Sequence, residues 1–253
     1  MPHIVITNDD GIYAEGLRAL VEGLQGAGTV SVVAPSQERS ASAQSLTLRQ
    51  PIFCEQVAER EWSVEGTPTD AMMIALHGLF PDPPDVVISG INRGGNLGEN
   101  VYYSGTVGAA MEAAIQGVPA FAISLVHKGA SIVYDRAAGL ARKLAELILA
   151  EGLPQGTLLN VNVPVAWDGR VRVTHQSKKV TRNVIEEGTD ARGRRFFWLS
   201  DQKVIEEADP RSDYAAVLIG AASVTPLELN RTHHVSLDPL SRWAKLLEAG
   251  ENG

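Results

Sequence analysis

The sequence predicts an α/β fold, a doubly wound and mostly parallel sheet, and three observations carry the prediction. Short apolar runs alternate along the chain with segments of helical period. The runs are apolar at consecutive positions, as strands covered on both faces require. Loops of small polar residues follow the strands, the place where open α/β sheets bind ligands.

The first run is Ile4-Val5-Ile6, and Leu17, Leu20, Val21 and Leu24 after it fall on one face of a helix. Residues 30–34 give the second strand. Residues 51–66 interrupt the rhythm and read as a two-stranded excursion. Val86-Val87-Ile88 restores it, and Val107, Ala110, Met111 and Ala114 mark a helix closed by Gly117 and followed by Pro119. Phe121-Ala122-Ile123 is the next strand, and Leu140, Leu144, Leu147 and Ile148 line the face of the next helix. This β-α-β alternation implies right-handed crossovers.

From about Val163 the character changes. Val171-Arg172-Val173-Thr174, Arg195-Phe196-Phe197-Trp198-Leu199 and Ala222-Ser223-Val224-Thr225 read as strands of an antiparallel appendage. Beyond Pro239 there is a short amphipathic helix. The expected organisation is a catalytic domain over residues 1–165 and a C-terminal extension with a β-hairpin arm over residues 166–253.

With 253 residues, 44% hydrophobic and 21% charged, the chain has the composition of an ordinary globular protein. Its net charge of −8 argues against a nucleic-acid duplex or an anionic membrane as partner. It leaves room for a small phosphorylated ligand, received locally by a metal and backbone amides. One cysteine, Cys54, rules out an intrachain disulfide and suits a reducing compartment. With no apolar run of membrane-spanning length, the expected location is the cytoplasm.

The first strand runs into Asn8-Asp9-Asp10-Gly11. Side chains alternate across a strand, so neighbouring carboxylates converge only where the strand has ended and the chain turns. Gly11, free to take positive φ, allows the turn. Two close carboxylates repel, and a divalent cation between them resolves the conflict. Taken alone, the pair is better read as one Asp capping the following helix and the other facing water. Ser40, in the loop 35–41, and Asn92, in the loop 89–96, sit at the same carboxyl edge. Singly they read as a cap and a turn residue. Jointly, Asp9, Asp10, Ser40 and Asn92 make an oxygen set suited to Mg²⁺ or Mn²⁺, with Ca²⁺ as a further option, rather than to zinc. The loop Tyr103-Ser104-Gly105-Thr106-Val107-Gly108 opens a helix, and a helix start there presents free amides to an anion. No Walker loop and no G-x-G-x-x-G after the first strand is present.

In order along the chain stand Thr7-Asn8-Asp9-Asp10-Gly11, Val33-Ala34-Pro35, Glu38-Arg39-Ser40-Ala41, Ser45-Leu46-Thr47, Gly66-Thr67-Pro68, Ser89-Gly90-Ile91-Asn92, Asn96-Leu97-Gly98 and Tyr103-Ser104-Gly105-Thr106-Val107. Together they resemble the SurE family of metal-dependent 5′/3′-nucleotidases. The likeness continues more loosely through Asn160-Val161-Asn162-Val163-Pro164, Gln176-Ser177 and Thr225-Pro226-Leu227. The resemblance implies a Rossmann-like fold and a cation held at Asp9, Asp10, Ser40 and Asn92. It places substrate phosphate near Asn96, Ser104, Gly105 and Thr106, and it implies a homodimer or tetramer formed through the C-terminal arm. Three positions depart from the family pattern: His175 where Arg is common, Asn230 where Asp is common, and Ala71 where Cys is common.

Both lines lead to phosphomonoester hydrolysis, and the resemblance implies nucleoside monophosphates as substrates, with Asp9, Asp10 and Asn96 as the catalytic set. One acid or base contributes only about 10²–10⁴-fold, far short of what phosphate-monoester hydrolysis demands, so a metal is required. His233 and His234 are left out as surface residues. A phosphorylation-controlled receiver module lacks its acceptor Asp after residues 86–90, and the remaining alternative is a non-catalytic metal- or nucleotide-binding regulatory module. The run Phe196-Phe197-Trp198 puts aromatics on both faces of one strand, which calls for cover from a second subunit or from the parent domain. Lys178, Lys179, Arg182, Arg192, Arg194 and Arg195 cluster on the same segment.

Overall fold

A computed structural model of the chain describes residues 1–127, 129, 132–178, 181–204 and 209–249. In chain order the main elements are β1 (His3–Thr7), α1 (Glu15–Gly23), β2 (Thr29–Pro35), β3 (Cys54–Ala58), β4 (Glu61–Val64), α2 (Pro68–Ile74), β5 (Val86–Arg93), α3 (Gly105–Ile115) and β6 (Ala120–Val126). There follow α4 (Asp135–Glu151), β7 (Thr157–Pro164), β8 (Val171–Val173), β9 (Thr181–Thr189), β10 (Arg195–Val204), α5 (Asp213–Leu218), β11 (Ala222–Glu228) and α6 (Leu237–Ala249).

Nine strands form one sheet in the order β3-β4-β2-β1-β5-β6-β7-β11-β8. From β4 to β7 every neighbouring pair is parallel. From β1 the chain winds outward through β2 to β4, then returns to β5 on the other side of β1 and winds away through β6 and β7. The strand order therefore reverses between β1 and β5, which opens a crevice beyond their carboxyl ends.

Alternation along each strand feeds two cores. Ile4, Ile6, Val32, Ile88, Phe121 and Ile123 face α1 and α4, while Val5, Val33, Val87 and Ala122 face α2 and α3. Burial on both faces explains why these strands are mostly apolar. The buried face of α4 includes Ala137, Ala141, Ala145 and Ile148. Leu147, expected on that face, is exposed. The small alanines set the line of closest approach, and position 147 falls at its rim.

The excursion at residues 51–66 is the antiparallel pair β3–β4, with β4 joined parallel to β2 at one edge of the sheet. Two other strands differ from expectation. Val171–Val173 and residues 222–225 do not belong to an antiparallel appendage: β11 pairs antiparallel with β7, β8 pairs parallel with β11, and both extend the central sheet. Among the described strands only β9 and β10 stand apart, as an antiparallel two-stranded hairpin. Phe196 and Trp198 meet edge to face at 6.5 Å on one side of it, and Phe197 lies under Arg195 on the other. All three aromatics are exposed. Arg194 and Arg195 are paired within the hairpin, to Asp190 and Glu187. Lys179 lies outside the described residues, as does the side chain of Arg182. Among the described residues no helix is long and apolar enough to cross a membrane.

Candidate active site

The crevice at the reversal is a cleft of about 770 Å³. Asp9, Asp10, Ser40, Asn92, Asn96 and Ser104 all line it, so six of the residues singled out in the sequence are brought together. Each arrives by a traceable local cause. Asn8 closes a turn after β1, its Oδ1 accepting from the Gly11 N–H at 3.2 Å and its Nδ2 donating to the Gly11 carbonyl at 2.9 Å. Gly11 takes φ +101°, the left-handed region that glycine tolerates. That turn presents both aspartates to one cleft. The Arg39 N–H donates to the Asp9 carbonyl at 2.7 Å and draws the loop after β2, with Ser40, against them. Asn92, at the end of β5, donates from Nδ2 to the Gly94 carbonyl at 2.8 Å. Its neighbour Arg93 donates its backbone N–H to Asp10 Oδ2 at 3.1 Å.

Asp9 is buried, and its carboxyl is pushed up to about 6, first by loss of hydration and further by the nearby Asp10. The Thr106 hydroxyl, donating to Asp9 Oδ1, opposes that rise. Asp10 is raised too, chiefly by burial, with Glu38 adding repulsion and the Arg93 amide opposing it. Two adjacent carboxylates that both resist ionisation are a setting in which a cation is favoured. Among the described residues no group of three His, Cys, Asp or Glu side chains is placed to hold a metal. The donors that remain are two carboxylates with a hydroxyl and an amide, hard oxygen ligands suited to a small divalent cation.

Gly105 and Thr106 stand differently from Ser104. Thr106 is fully buried behind Asp9, its hydroxyl given to that carboxylate, and neither Gly105 nor Thr106 lines the cleft. A Cβ at Gly105 would lie 2.8 Å from the Asp9 Cβ and 2.6 Å from Ser42 Oγ. Gly105 thus lets the start of α3 close on Asp9. Ser104 caps that helix, accepting from the Val107 N–H at 3.1 Å.

Other cleft residues were not singled out from the sequence. Glu38 and Arg93 stand beside Ser40 and Asn92 in the loops already noted, and their charges were the available signal. Tyr103 and Tyr134 supply aromatic wall, and Leu199 reaches the cleft from β10. No pattern in the sequence links Leu199 to this site. The loop after Asn96 is pinned from the C-terminal part of the chain. The buried Asp213 accepts from the N–H groups of Gly98, Ser177 and Tyr214, and Gln176 donates to the Gly98 carbonyl at 2.7 Å. His175 is exposed and bridges to Asp209 at 3.0 Å. His233, His234 and Asn230 are exposed and bond locally, outside the residues that line the cleft. Ala71 is part of the α2 core.

A family model described as survival protein SurE matches residues 4–183. A 5′-nucleotidase SurE from Geotalea daltonii is 44% identical over 243 residues, covering 95% of this chain and 98% of the relative. One from Geobacter sulfurreducens is 43% identical, covering 95% and 93%. Among solved structures, the SurE protein of Aquifex aeolicus superposes with a TM-score of 0.86 at 35% identity, over 96% of this chain and all of that one. The Asp9–Asp10 turn at the sheet's reversal point, the matched family model and relatives aligned along nearly their whole length agree: the chain belongs to the SurE family.

Proposed function

We propose that this protein is a metal-dependent phosphomonoesterase that hydrolyses nucleoside 5′-monophosphates to nucleoside and phosphate, with 3′-monophosphates as a second substrate class. The carrying observation is the pair Asp9 and Asp10 in one cleft with Ser40 and Asn92, at the crevice between β1 and β5. The relatives' name, 5′-nucleotidase, supports the substrate class. It also disfavours the alternative of a non-catalytic binding module.

Asp9, Asp10, Ser40 and Asn92 would hold the cation, Mg²⁺ or Mn²⁺ before Ca²⁺ by donor type. When bound, such an ion supplies charge neutralisation and Lewis acidity to the phosphoryl group and lowers the pKa of water. The chain's own residues do the rest. With Oδ1 held by Thr106, Asp9 keeps Oδ2 for the cation and for orienting the attacking water. Asn96 and the first turn of α3 at Ser104 donate hydrogen bonds to the equatorial phosphoryl oxygens, where charge gathers during in-line displacement. In this reading Gly105 and Thr106 serve the phosphate site by seating α3 against Asp9. The exposed aromatic ring of Tyr103 offers a surface for a nucleobase.

The exposed faces of β9–β10 support assembly into a homodimer or tetramer through that arm. A single, exposed thiol at Cys54 fits the reducing cytoplasm. A screen of 5′- and 3′-mononucleotides against Mg²⁺, Mn²⁺ and Ca²⁺, scored by phosphate release, tests the function. Release from at least one mononucleotide, abolished by chelator, is expected. Inertness toward every mononucleotide with every ion would refute it.

A further inference from the structure

The central sheet carries a polar strip that the reaction does not itself require. Alternation along β7 sends Val161 and Val163 to the α1/α4 core and turns Asn160 and Asn162 to the other face. Ser124 of β6 lies beside Asn162, and Ser223 and Thr225 of β11 flank the two asparagines from the far side. All five are buried to 1% exposure or less. Burying amides and hydroxyls costs free energy that apolar residues would not, unless each finds a partner.

Both ends of the Asn162 amide and the nitrogen of Asn160 find theirs on Asn96, while Asn160 Oδ1 and Ser223 Oγ have no partner among the described residues. Asn162 Oδ1 accepts from the Asn96 N–H at 2.8 Å, and its Nδ2 donates to the Asn96 carbonyl at 3.1 Å. The orientation of that amide follows from its partners, since a backbone N–H only donates and a carbonyl only accepts. Asn160 Nδ2 donates to the same carbonyl at 2.7 Å. The Asn96 side chain gives one N–H to Ser124 Oγ at 2.8 Å. An amide nitrogen carries two hydrogens, so a second remains for the cleft that Asn96 lines.

We propose that Asn160, Asn162 and Ser124 are positioning residues, which clamp both backbone polar groups and the amide of Asn96 so that its free N–H is held ready for a phosphoryl oxygen. The inference rests on the nucleotidase reading for the role of Asn96, while the clamp itself stands on the geometry alone. A donor fixed before reaction stabilises developing charge without reorganising, and a misplacement of about 1 Å can cost about 100-fold in rate.

The test compares Asn162→Leu, which removes both bonds at similar size, with Ser124→Ala and Ser124→Thr. Val161→Ala serves as control, since it weakens the same strand from the opposite face. Below the unfolding temperature of each variant, Asn162→Leu should lower kcat/KM by about 10- to 100-fold. It should also weaken inhibition by inorganic phosphate and speed hydrogen exchange at the Asn96 amide, with metal affinity unchanged. Ser124→Ala should move activity the same way by a smaller factor, and Ser124→Thr should restore it by keeping the hydroxyl. Equal activity losses in Val161→Ala and Asn162→Leu, or an Asn162→Leu enzyme with unchanged kcat/KM, would overturn the proposal. If Asn162→Leu does not fold, the Ser124 pair decides by the same criterion. Should the wild type prove inert toward nucleotides, the nucleotidase reading fails. Unchanged exchange at Asn96 in Asn162→Leu would then still overturn the clamp, and faster exchange would uphold it.

Discussion

Asp9 is 6% exposed, and what favours its charge is the hydroxyl and backbone of Thr106 at the start of α3. Its carboxyl is raised from 3.8 to about 6 in the folded chain, so the unfolded chain gives up this proton first as pH rises. Without a cation the group therefore opposes folding. Its contribution is neutral below about pH 4, grows unfavourable between roughly pH 4 and 6, and stays constant above that. The full effect is on the order of 3 kcal/mol. Asp9→Asn should accordingly raise the thermal midpoint of the metal-free protein by several degrees at pH 7 and leave it little changed at pH 4. Activity should be abolished at both. Scanning calorimetry of the two proteins across that range checks the sign, and a metal-free Asp9→Asn protein that melts lower than wild type at pH 7 contradicts it. This residue was legible in the sequence because two adjacent acids at a strand end demand an explanation. Thr106 was legible only as part of a helix-start loop. Whether a hydroxyl faces an anion or a neighbouring carboxylate depends on which way the helix is rolled, and that is fixed by packing.

Helix α3 shows how an element carries the site. Six of its eleven residues are Gly or Ala, and nine of its residues are buried between the sheet and its neighbours. Small residues let its first turn approach Asp9 closely, and Gly105 has no room for a methyl group. Gly105→Ala should then lower kcat by about tenfold or more by displacing Asp9, with a stability loss of about 1–3 kcal/mol. Steady-state kinetics beside a denaturant titration would measure both, and wild-type kcat would show that α3 and Asp9 do not need this contact. The parallel strands were readable because burial on both faces favours runs of apolar residues. In β11 and β8 the same signal fails. β8 is three exposed residues held through backbone pairing, and β11 mixes Ser, Thr and Pro into a buried run. Asn160 and Asn162 look like surface in sequence and are core in the fold, because their partner Asn96 comes from a loop about 60 residues away.

At the scale of the molecule, the chain is a wide sheet whose reversal point makes the cleft, and the hairpin β9–β10, which pairs with no described strand of that sheet, carries the exposed Phe196, Phe197 and Trp198. The same hairpin sends Leu199 to the cleft, so the proposed assembly through it would bear on the site. Replacing Phe197 and Trp198 together by Ser should shift the particle to a smaller species in light scattering at micromolar concentration and reduce activity. A wild-type monomer under those conditions would contradict the assembly. The central claim is that Asp9 and Asp10 make a cation-dependent phosphate-ester site, and phosphate release from a nucleoside 5′-monophosphate by chelator-treated protein tests it most directly. Wild type should be silent without added ion and recover on addition of Mg²⁺ or Mn²⁺, while Asp10→Asn should retain its fold and stay silent throughout. Undiminished turnover by Asp10→Asn in metal-free buffer would contradict the account.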